Sequence, residues 1–136
     1  MHNILGKWYI HKNNNFNDFL KFTQTPWYQR KIAEHSNIDL EITKKNDNNF
    51  IKTINSLFYN NKEEIEINGE YNICDKLKKK YEITGSENES IINVDIKGTI
   101  VNWKEKIYYQ KPHLIVEYNW YEQNILRSAK QYFLRY

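Results

Sequence analysis

Few side chains in this sequence could perform chemistry, and their spacing does not assemble a catalytic or metal centre. Cys74 is the only cysteine, and the sequence identifies no base partner that would activate its thiol. A metal site needs several ligands at close spacing. The four histidines are scattered along the chain, at His2, His11, His35 and His113. With only four glycines there is also no glycine-rich phosphate loop, so we expect neither a metal nor another cofactor.

The composition predicts a globular domain rather than a disordered tail, a membrane protein or a nucleic-acid binder. Of 136 residues, 40% are hydrophobic and 27% are charged, which is enough apolar surface for a core. The net charge of +3 is well below the basic excess typical of nucleic-acid binders. No apolar run approaches the roughly 18 residues of a membrane span, no secretory leader is visible, and the lone cysteine suits a reducing compartment. We expect one domain over residues 1–136, cytoplasmic and monomeric.

A first short helix is predicted over residues 15–22. Asn15 can supply the N-cap, and Phe16, Phe19 and Leu20 then share one face at the i, i+3, i+4 spacing of an amphipathic helix. This apolar face must pack against another element, because a helix of this length is not stable alone.

A second short helix is predicted to follow almost at once. Thr25 and Pro26 form a start signal, a capping residue followed by proline at the first helical position. The helix should end near His35, with Trp27 and Ile32 turned inward. The two helices together make a helix-turn-helix.

The rest of the chain predicts an all-β fold, because apolar and polar residues alternate between turn signals. About ten antiparallel strands are too many to leave edges exposed in so short a chain, so a closed up-and-down barrel is favoured. Such a barrel has an interior too wide for side chains to fill, and the two helices could cap one end. The predicted strands lie at about 7–12, 38–42, 50–59, 63–68, 70–74, 79–84, 91–97, 99–109, 113–121 and 125–135.

The first strand and helix carry a specific pattern of motifs. Gly6-x-Trp8-x-Ile10 is followed by Asn15-Phe16, nine residues after the glycine. This pattern resembles the N-terminal signature of the intracellular fatty-acid-binding proteins, a calycin family that includes the cellular retinoid binders.

Three later stretches extend the resemblance over nearly the whole chain. Residues 30–33 are similar to the family's Arg-Lys-Val-Ala, and residues 55–60 to its Ser-Thr-Phe-Lys-Asn stretch. Residues 114–135 are similar to its last two strands. The resemblance implies a ten-strand barrel capped by a helix-turn-helix, which carries a fatty acid or similar lipid non-covalently inside the cell and is not an enzyme.

The resemblance also implies which apolar side chains contact the lipid. Phe16 matches a position that touches the ligand, and Phe19 and Leu20 share its helix face. Phe58 matches the aromatic residue that gates the portal between the helices and a strand turn. Simple core packing is the alternative for each of these side chains.

A buried lipid carboxylate needs fixed donors, and arginine is favoured because its guanidinium pairs with both oxygens. Many members of the family use two interior arginines and a tyrosine, but this chain has only Arg30, Arg127 and Arg135. The family's first arginine position falls near Ile107. The neighbouring Lys106 would point outward unless the strand register slips by one residue.

The last strand leaves two registers open, because the family's closing Arg-x-Tyr motif is absent. If odd-numbered residues face inward, the cavity contains Arg127, Gln131 and Phe133. If even-numbered residues face inward, it contains Lys130 and Tyr132.

Pairing about the turn before the last strand favours the odd-numbered face. It places Leu114 opposite Gln131, with Tyr118 on the same side of the partner strand. Arg127 is then the best anion-binding candidate. Glu105 on an inward face would disfavour an anion there.

Three basic residues of the helices could form a patch beside the portal. In the resembled family, basic residues on the helical cap aid contact with anionic membranes, and Lys21, Arg30 and Lys31 could do so here. An ordinary solvated helix face is the alternative.

Three other functions stay open at this point. The first is a barrel that presents a pigment or tetrapyrrole to a partner protein, as a chaperone or lyase. The second is a binding module with a filled core and no ligand. The third is a secreted lipocalin, which the missing leader and disulfides disfavour.

Overall fold

A computed structural model describes residues 2–57, 59–67, 69, 71–74 and 77–136, with the backbone alone at 72–74. Two helices follow the first strand, and all later elements are strands. The elements are β1 Gly6–Asn14, α1 Phe16–Phe22, α2 Trp27–His35, β2 Ile38–Asn46, β3 Asn49–Ser56, β4 Asn60–Glu66, β5 Asn72–Cys74, β6 Leu77–Thr84, β7 Ile91–Lys97, β8 Asn102–Gln110, β9 His113–Glu122 and β10 Ile125–Arg135. The predicted all-β fold with two helices near the start is therefore confirmed.

The strands form one antiparallel sheet that curls into a nearly closed barrel. Its order is β4-β3-β2-β1-β10-β9-β8-β7-β6-β5, so the first strand pairs with the last. The two edges face each other across the barrel wall. There, Glu63 of β4 accepts hydrogen bonds from Lys79 Nζ (2.8 Å) and Tyr81 Oη (2.6 Å), both on β6. Side chains thus connect β4, at one edge of the sheet, to β6, the strand next to the other edge.

Alternation along the strands builds the core, because successive side chains point to opposite faces. On β7, Ile92, Val94 and Ile96 are buried, while the residues between them are partly exposed. Leu40 and Ile42 are likewise buried at alternate positions of β2. These inward rows meet in one continuous cluster.

Trp8 occupies the core beside the segment that precedes β1. Its ring is fully buried, and its indole Nε1 donates to the Ile4 carbonyl oxygen at 3.1 Å. The Arg135 guanidinium lies 4.1 Å from the ring centre, a cation–π arrangement. The same guanidinium donates to the Leu5 and Asn3 carbonyl oxygens, which ties β10 to the start of the chain.

Both helices lie where they were predicted, but the predicted caps are wrong. Asn15 precedes α1 with φ 58° and makes no capping hydrogen bond through its side chain. At α2, Pro26 rather than Thr25 is the N-cap residue. The ψ of Pro26 is 148°, an extended rather than a helical value, so the helix starts one residue later, at Trp27. Thr25 instead accepts a hydrogen bond from Arg30 Nη1 on its carbonyl oxygen, at 2.9 Å.

The prediction that Trp27 faces inward is wrong, since 64% of the residue is exposed. The face of α2 that lines the barrel mouth carries Gln29 and Ala33, one helical turn apart. Trp27 stands two residues before Gln29, about 200° around the helix, and therefore points to solvent.

Two predicted strands end earlier than expected. β3 ends at Ser56 rather than 59, because Ser56 Oγ and its backbone form a local turn with Tyr59. β4 ends at Glu66 rather than 68. The sequence also has Asn68-Gly69, a two-residue hairpin signal, directly after this strand, and that pair lies partly outside the described residues. Among the described residues, neither helix is long and apolar enough to cross a membrane.

Candidate functional site

A cavity of about 730 Å³ lies inside the barrel, beneath the two helices. Much of its wall is apolar and comes from inward positions of the strands, including Leu40, Ile54, Val116 and Phe133. Volumes of this size are typical of small-molecule sites. A cavity of this size disfavours a core filled by side chains, one of the three alternatives.

The first helix covers the cavity with the aromatic face predicted from its sequence. Phe16, Phe19 and Leu20 all line the cavity. Phe19 anchors the helix, because its ring centre lies 4.4 Å from that of Tyr118 and 5.4 Å from that of Trp103. The helix therefore closes the barrel through packing and can open without breaking strand pairing.

Replacing this anchor should loosen the lid. Phe19→Ala is expected to lower the free energy of unfolding by about 3 kcal/mol, the lower end for this truncation, because the cavity already leaves part of the ring unpacked. Hydrogen exchange of the amides in α1 should accelerate more than that of β8 and β9.

The matched control is Tyr28→Ala, which removes an exposed ring from α2. It should change stability by about 0.5 kcal/mol or less. Equal protection of α1 in the wild type and in Phe19→Ala would show that Phe19 does not hold the lid.

The last strand presents its odd-numbered residues to the interior, as the favoured register predicted. Gln131 and Phe133 line the cavity together with Tyr118 of β9. The predicted pairing is nevertheless displaced by two residues, since Gln131 pairs with Val116 and Leu114 pairs with Phe133. A displacement of two leaves every side chain on its predicted face.

The prediction that Arg127 lies inside the barrel is wrong. Its side chain is exposed, and its register partner is Trp120. The β9–β10 hairpin extends beyond the barrel, because residues 121–128 are all exposed and burial on β10 begins at Ala129. Alternation places Arg127 on the same face as Trp120, which is buried against α1, but the side chain of Arg127 itself is exposed.

Two further candidates also lie outside the cavity. Tyr132 is on the outer face of β10, where its ring contacts His113 (5.3 Å between centres) and lies under Lys12 Nζ at 4.8 Å. Lys106 is exposed and pairs in register with Glu117. Both have even numbers on strands whose odd-numbered residues face inward. Phe58, the predicted portal residue, lies outside the described residues.

Among the residues that the structure describes, four charged residues lie in the interior, and the sequence interpretation considered only Glu105. Lys52 and Glu63 are each 7% exposed and Glu105 is 9% exposed, while the Lys79 side chain is 12% exposed. A signal for them was present, because Lys52 stands between inward Phe50 and Ile54 in the alternation of β3. A charged residue at an inward position of a strand marks an interior polar group.

Glu63 is the most strongly bound of these charges. Its carboxylate accepts hydrogen bonds from Lys79 Nζ (2.8 Å), Tyr81 Oη (2.6 Å) and Asn61 Nδ2 (2.8 Å). Burial alone would raise its pKa, but the charges of Lys52 and Lys79 and the hydrogen bonds lower the pKa from 4.5 to about 2. Glu63 is therefore ionised at neutral pH.

Glu105 is the buried carboxylate of β8, where Tyr118 of β9 is its register partner. It accepts a hydrogen bond from Trp103 Nε1 at 3.0 Å. Burial lowers the pKa of Lys79, but the carboxylates of Glu105 and Glu63 outweigh burial and raise it. Burial, followed by the charge of Glu105, raises the pKa of Tyr118 well above 10.

A buried amide completes the polar lining. Tyr118 Oη donates to Gln131 Oε1 at 2.5 Å. Gln131 Nε2 is buried and has no hydrogen-bond partner in the described part of the protein. Because Gln131 lines the cavity, its free N–H donors are available to an acceptor oxygen on a bound molecule.

The site offers apolar contact and a few fixed polar groups. Among the residues that the structure describes, no group of three or more histidine, cysteine, aspartate or glutamate side chains could hold a metal ion.

Solved structures share this architecture over their full length. A REP1-NXSQ fatty acid transporter superposes with a TM-score of 0.85 at 17% identity, covering 100% of this chain and 98% of that chain. A fatty acid binding protein of Schistosoma mansoni in complex with arachidonic acid gives 0.84 at 15% identity, covering 100% and 98%. Apo lipid binding protein 8 of Caenorhabditis elegans gives 0.78 at 21% identity, covering 100% and 97%.

These similarities define the class of fold. The chain has the ten-strand, helix-capped barrel of the fatty-acid-binding proteins, as its sequence motifs implied. No family model matches the chain, and no curated protein matches its sequence. The structural neighbours do not favour the pigment or tetrapyrrole chaperone alternative.

Proposed function

We propose that this protein binds one fatty acid or similar lipid non-covalently in the barrel and carries it. The observation that supports this most is the cavity of about 730 Å³ closed by an aromatic helix face. Burial of an acyl chain there would contribute roughly 25 cal/mol per Å² of apolar surface before binding costs are subtracted. The described fold provides no reaction centre, which favours a carrier over an enzyme.

Three basic residues lie on the two helices that cover the cavity. Lys21 and Lys31 are exposed on the helices, and Arg30 is partly exposed beside them. Contact of these residues with an anionic membrane surface, a monomeric state and a cytoplasmic location remain predictions.

Filling the cavity tests the proposal. Ile54 lines the cavity from the middle of β3, so Ile54→Trp should occupy space that the lipid needs. Binding of the uncharged fluorescent lipid probe Nile red should weaken by about tenfold or more.

The matched control lies on the same strand. Ile51 has the opposite orientation and is absent from the cavity wall, so Ile51→Trp should leave Nile red binding within about twofold of the wild type. Equal binding by Ile54→Trp and the wild type would place the ligand elsewhere and overturn the proposal.

A further inference from the structure

We propose that the cavity selects a lipid with an uncharged head group, such as an alcohol, ester or amide, and disfavours a free carboxylate. This inference rests on the proposed lipid-binding function and adds the chemical class of the ligand. It follows from how the interior charges are arranged and from the one buried donor that lacks a partner.

The four interior charges form a row of alternating sign. Lys52 is the register partner of Glu63 across β3 and β4. Glu63 is hydrogen-bonded to Lys79, and Lys79 is stabilised by the charge of Glu105. Each carboxylate in the row therefore has a lysine neighbour, and each lysine has a carboxylate neighbour.

Among the residues that the structure describes, the row leaves no surplus positive charge for a ligand. Two lysines and two glutamates have formal charges that cancel, and Arg127 lies outside the barrel. A carboxylate that leaves water pays a large desolvation cost unless a cation is available to pair with it. A fatty-acid carboxylate would bring a negative charge into an interior whose formal charges already balance, with Lys79 paired to Glu63 at 2.8 Å and Lys52 beside Glu63 in register.

The unpaired donor, Gln131 Nε2, lies near Glu105, whose negative charge would repel a second anion. Gln131 is held through its Oε1 by Tyr118, which is the register partner of Glu105 across β8 and β9. The free Nε2 can donate to a hydroxyl or carbonyl oxygen. A carboxylate at the same place would be repelled by Glu105, whereas a neutral oxygen would not.

The test compares two lipids that differ only in the head group. Oleyl alcohol and oleate are used to displace Nile red from the wild-type protein at pH 8, where oleate is ionised. We expect oleyl alcohol to bind about tenfold more tightly than oleate.

The charge argument is then tested with Glu105→Gln, which keeps an acceptor for Trp103 but removes the negative charge. This variant should bind oleate about tenfold more tightly than the wild type, with oleyl alcohol changed by about threefold or less. Glu82→Gln, an exposed position on β6, is the matched control and should change neither affinity.

A second variant covers the case in which Glu105→Gln does not fold. Gln131→Met removes the free amide. It should weaken the binding of oleyl alcohol by about threefold to tenfold, while Nile red should still bind. Oleate binding as tight as or tighter than oleyl alcohol in the wild type overturns the inference but leaves the lipid-binding proposal intact. If Nile red, oleyl alcohol and oleate all fail to bind, the proposed function itself is overturned.

Discussion

Glu63→Gln is expected to lower the free energy of unfolding by about 3–5 kcal/mol, because it removes one partner of a buried charge network. Lys52 and Lys79 would remain in the interior with only Glu105 to balance them. Chemical denaturation at pH 7 measures the loss. The magnitude should exceed that of any exposed charge on the barrel.

The matched control is Glu64→Gln on the same strand. Glu64 pairs with Lys45 at 2.6 Å, but both side chains are about half exposed. Exposed pairs contribute about 0–1 kcal/mol, so this variant should be close to wild type. Equal losses for the two variants would mean that the interior network does not stabilise the fold.

Protonation of Glu63 is also expected to lower the free energy of unfolding at acidic pH. Its pKa is lowered from 4.5 to about 2 by folding, so its contribution is complete above about pH 4.5 and is lost as the pH falls toward 2. The shift corresponds to about 3 kcal/mol. Glu63→Gln should flatten this part of the stability curve, and an unchanged curve would contradict the assignment.

Trp8→Ala is expected to have the largest effect of any single truncation, a loss of about 4–5 kcal/mol. The ring is fully buried, packs 5.9 Å from the Tyr109 ring centre and supports Arg135. Its removal would leave a cavity and would free the guanidinium that ties β10 to the start of the chain. Thermal unfolding followed by circular dichroism measures the loss.

Two comparisons make this result specific. Trp8→Phe keeps most of the packing but loses the hydrogen bond to the Ile4 carbonyl oxygen, so it should lose about 1–2 kcal/mol. Trp27→Ala removes an exposed ring and should cost about 0.5 kcal/mol or less. A Trp8→Ala protein as stable as Trp27→Ala would show that the core does not depend on this ring.

The barrel and its inward faces could be predicted because they follow from a local rule. Alternation in β7 and β10 shows which residues share a face, and a pairing error of two residues does not change that face. This is why Gln131 and Phe133 were placed correctly on the interior side although their partners were not.

The position of Arg127 could not be predicted by the same rule. Alternation gives the face of a side chain but does not show where the barrel ends along the strand. The hairpin extends beyond the wall, and only the three-dimensional arrangement shows that Ala129 is the first buried residue of β10.

The interior charge row was missed for a related reason. Glu63 and Lys79 are sixteen residues apart on strands that do not pair, and they meet only because the sheet curls until its edges face each other. The basic run at residues 76–80 resembles a solvated turn in sequence, although the predicted strand 79–84 includes Lys79. In the structure Lys79 is on β6, whose alternation brings its side chain inward.

Native mass spectrometry of the purified chain tests the central claim, that the barrel holds one lipid, most directly. We predict one lipid per chain, released on denaturation, or uptake of one oleyl alcohol per chain when the protein is purified empty. Ile54→Trp should abolish this adduct and Ile51→Trp should keep it. A folded wild-type chain that carries no lipid and takes up neither oleyl alcohol nor oleate would contradict the claim.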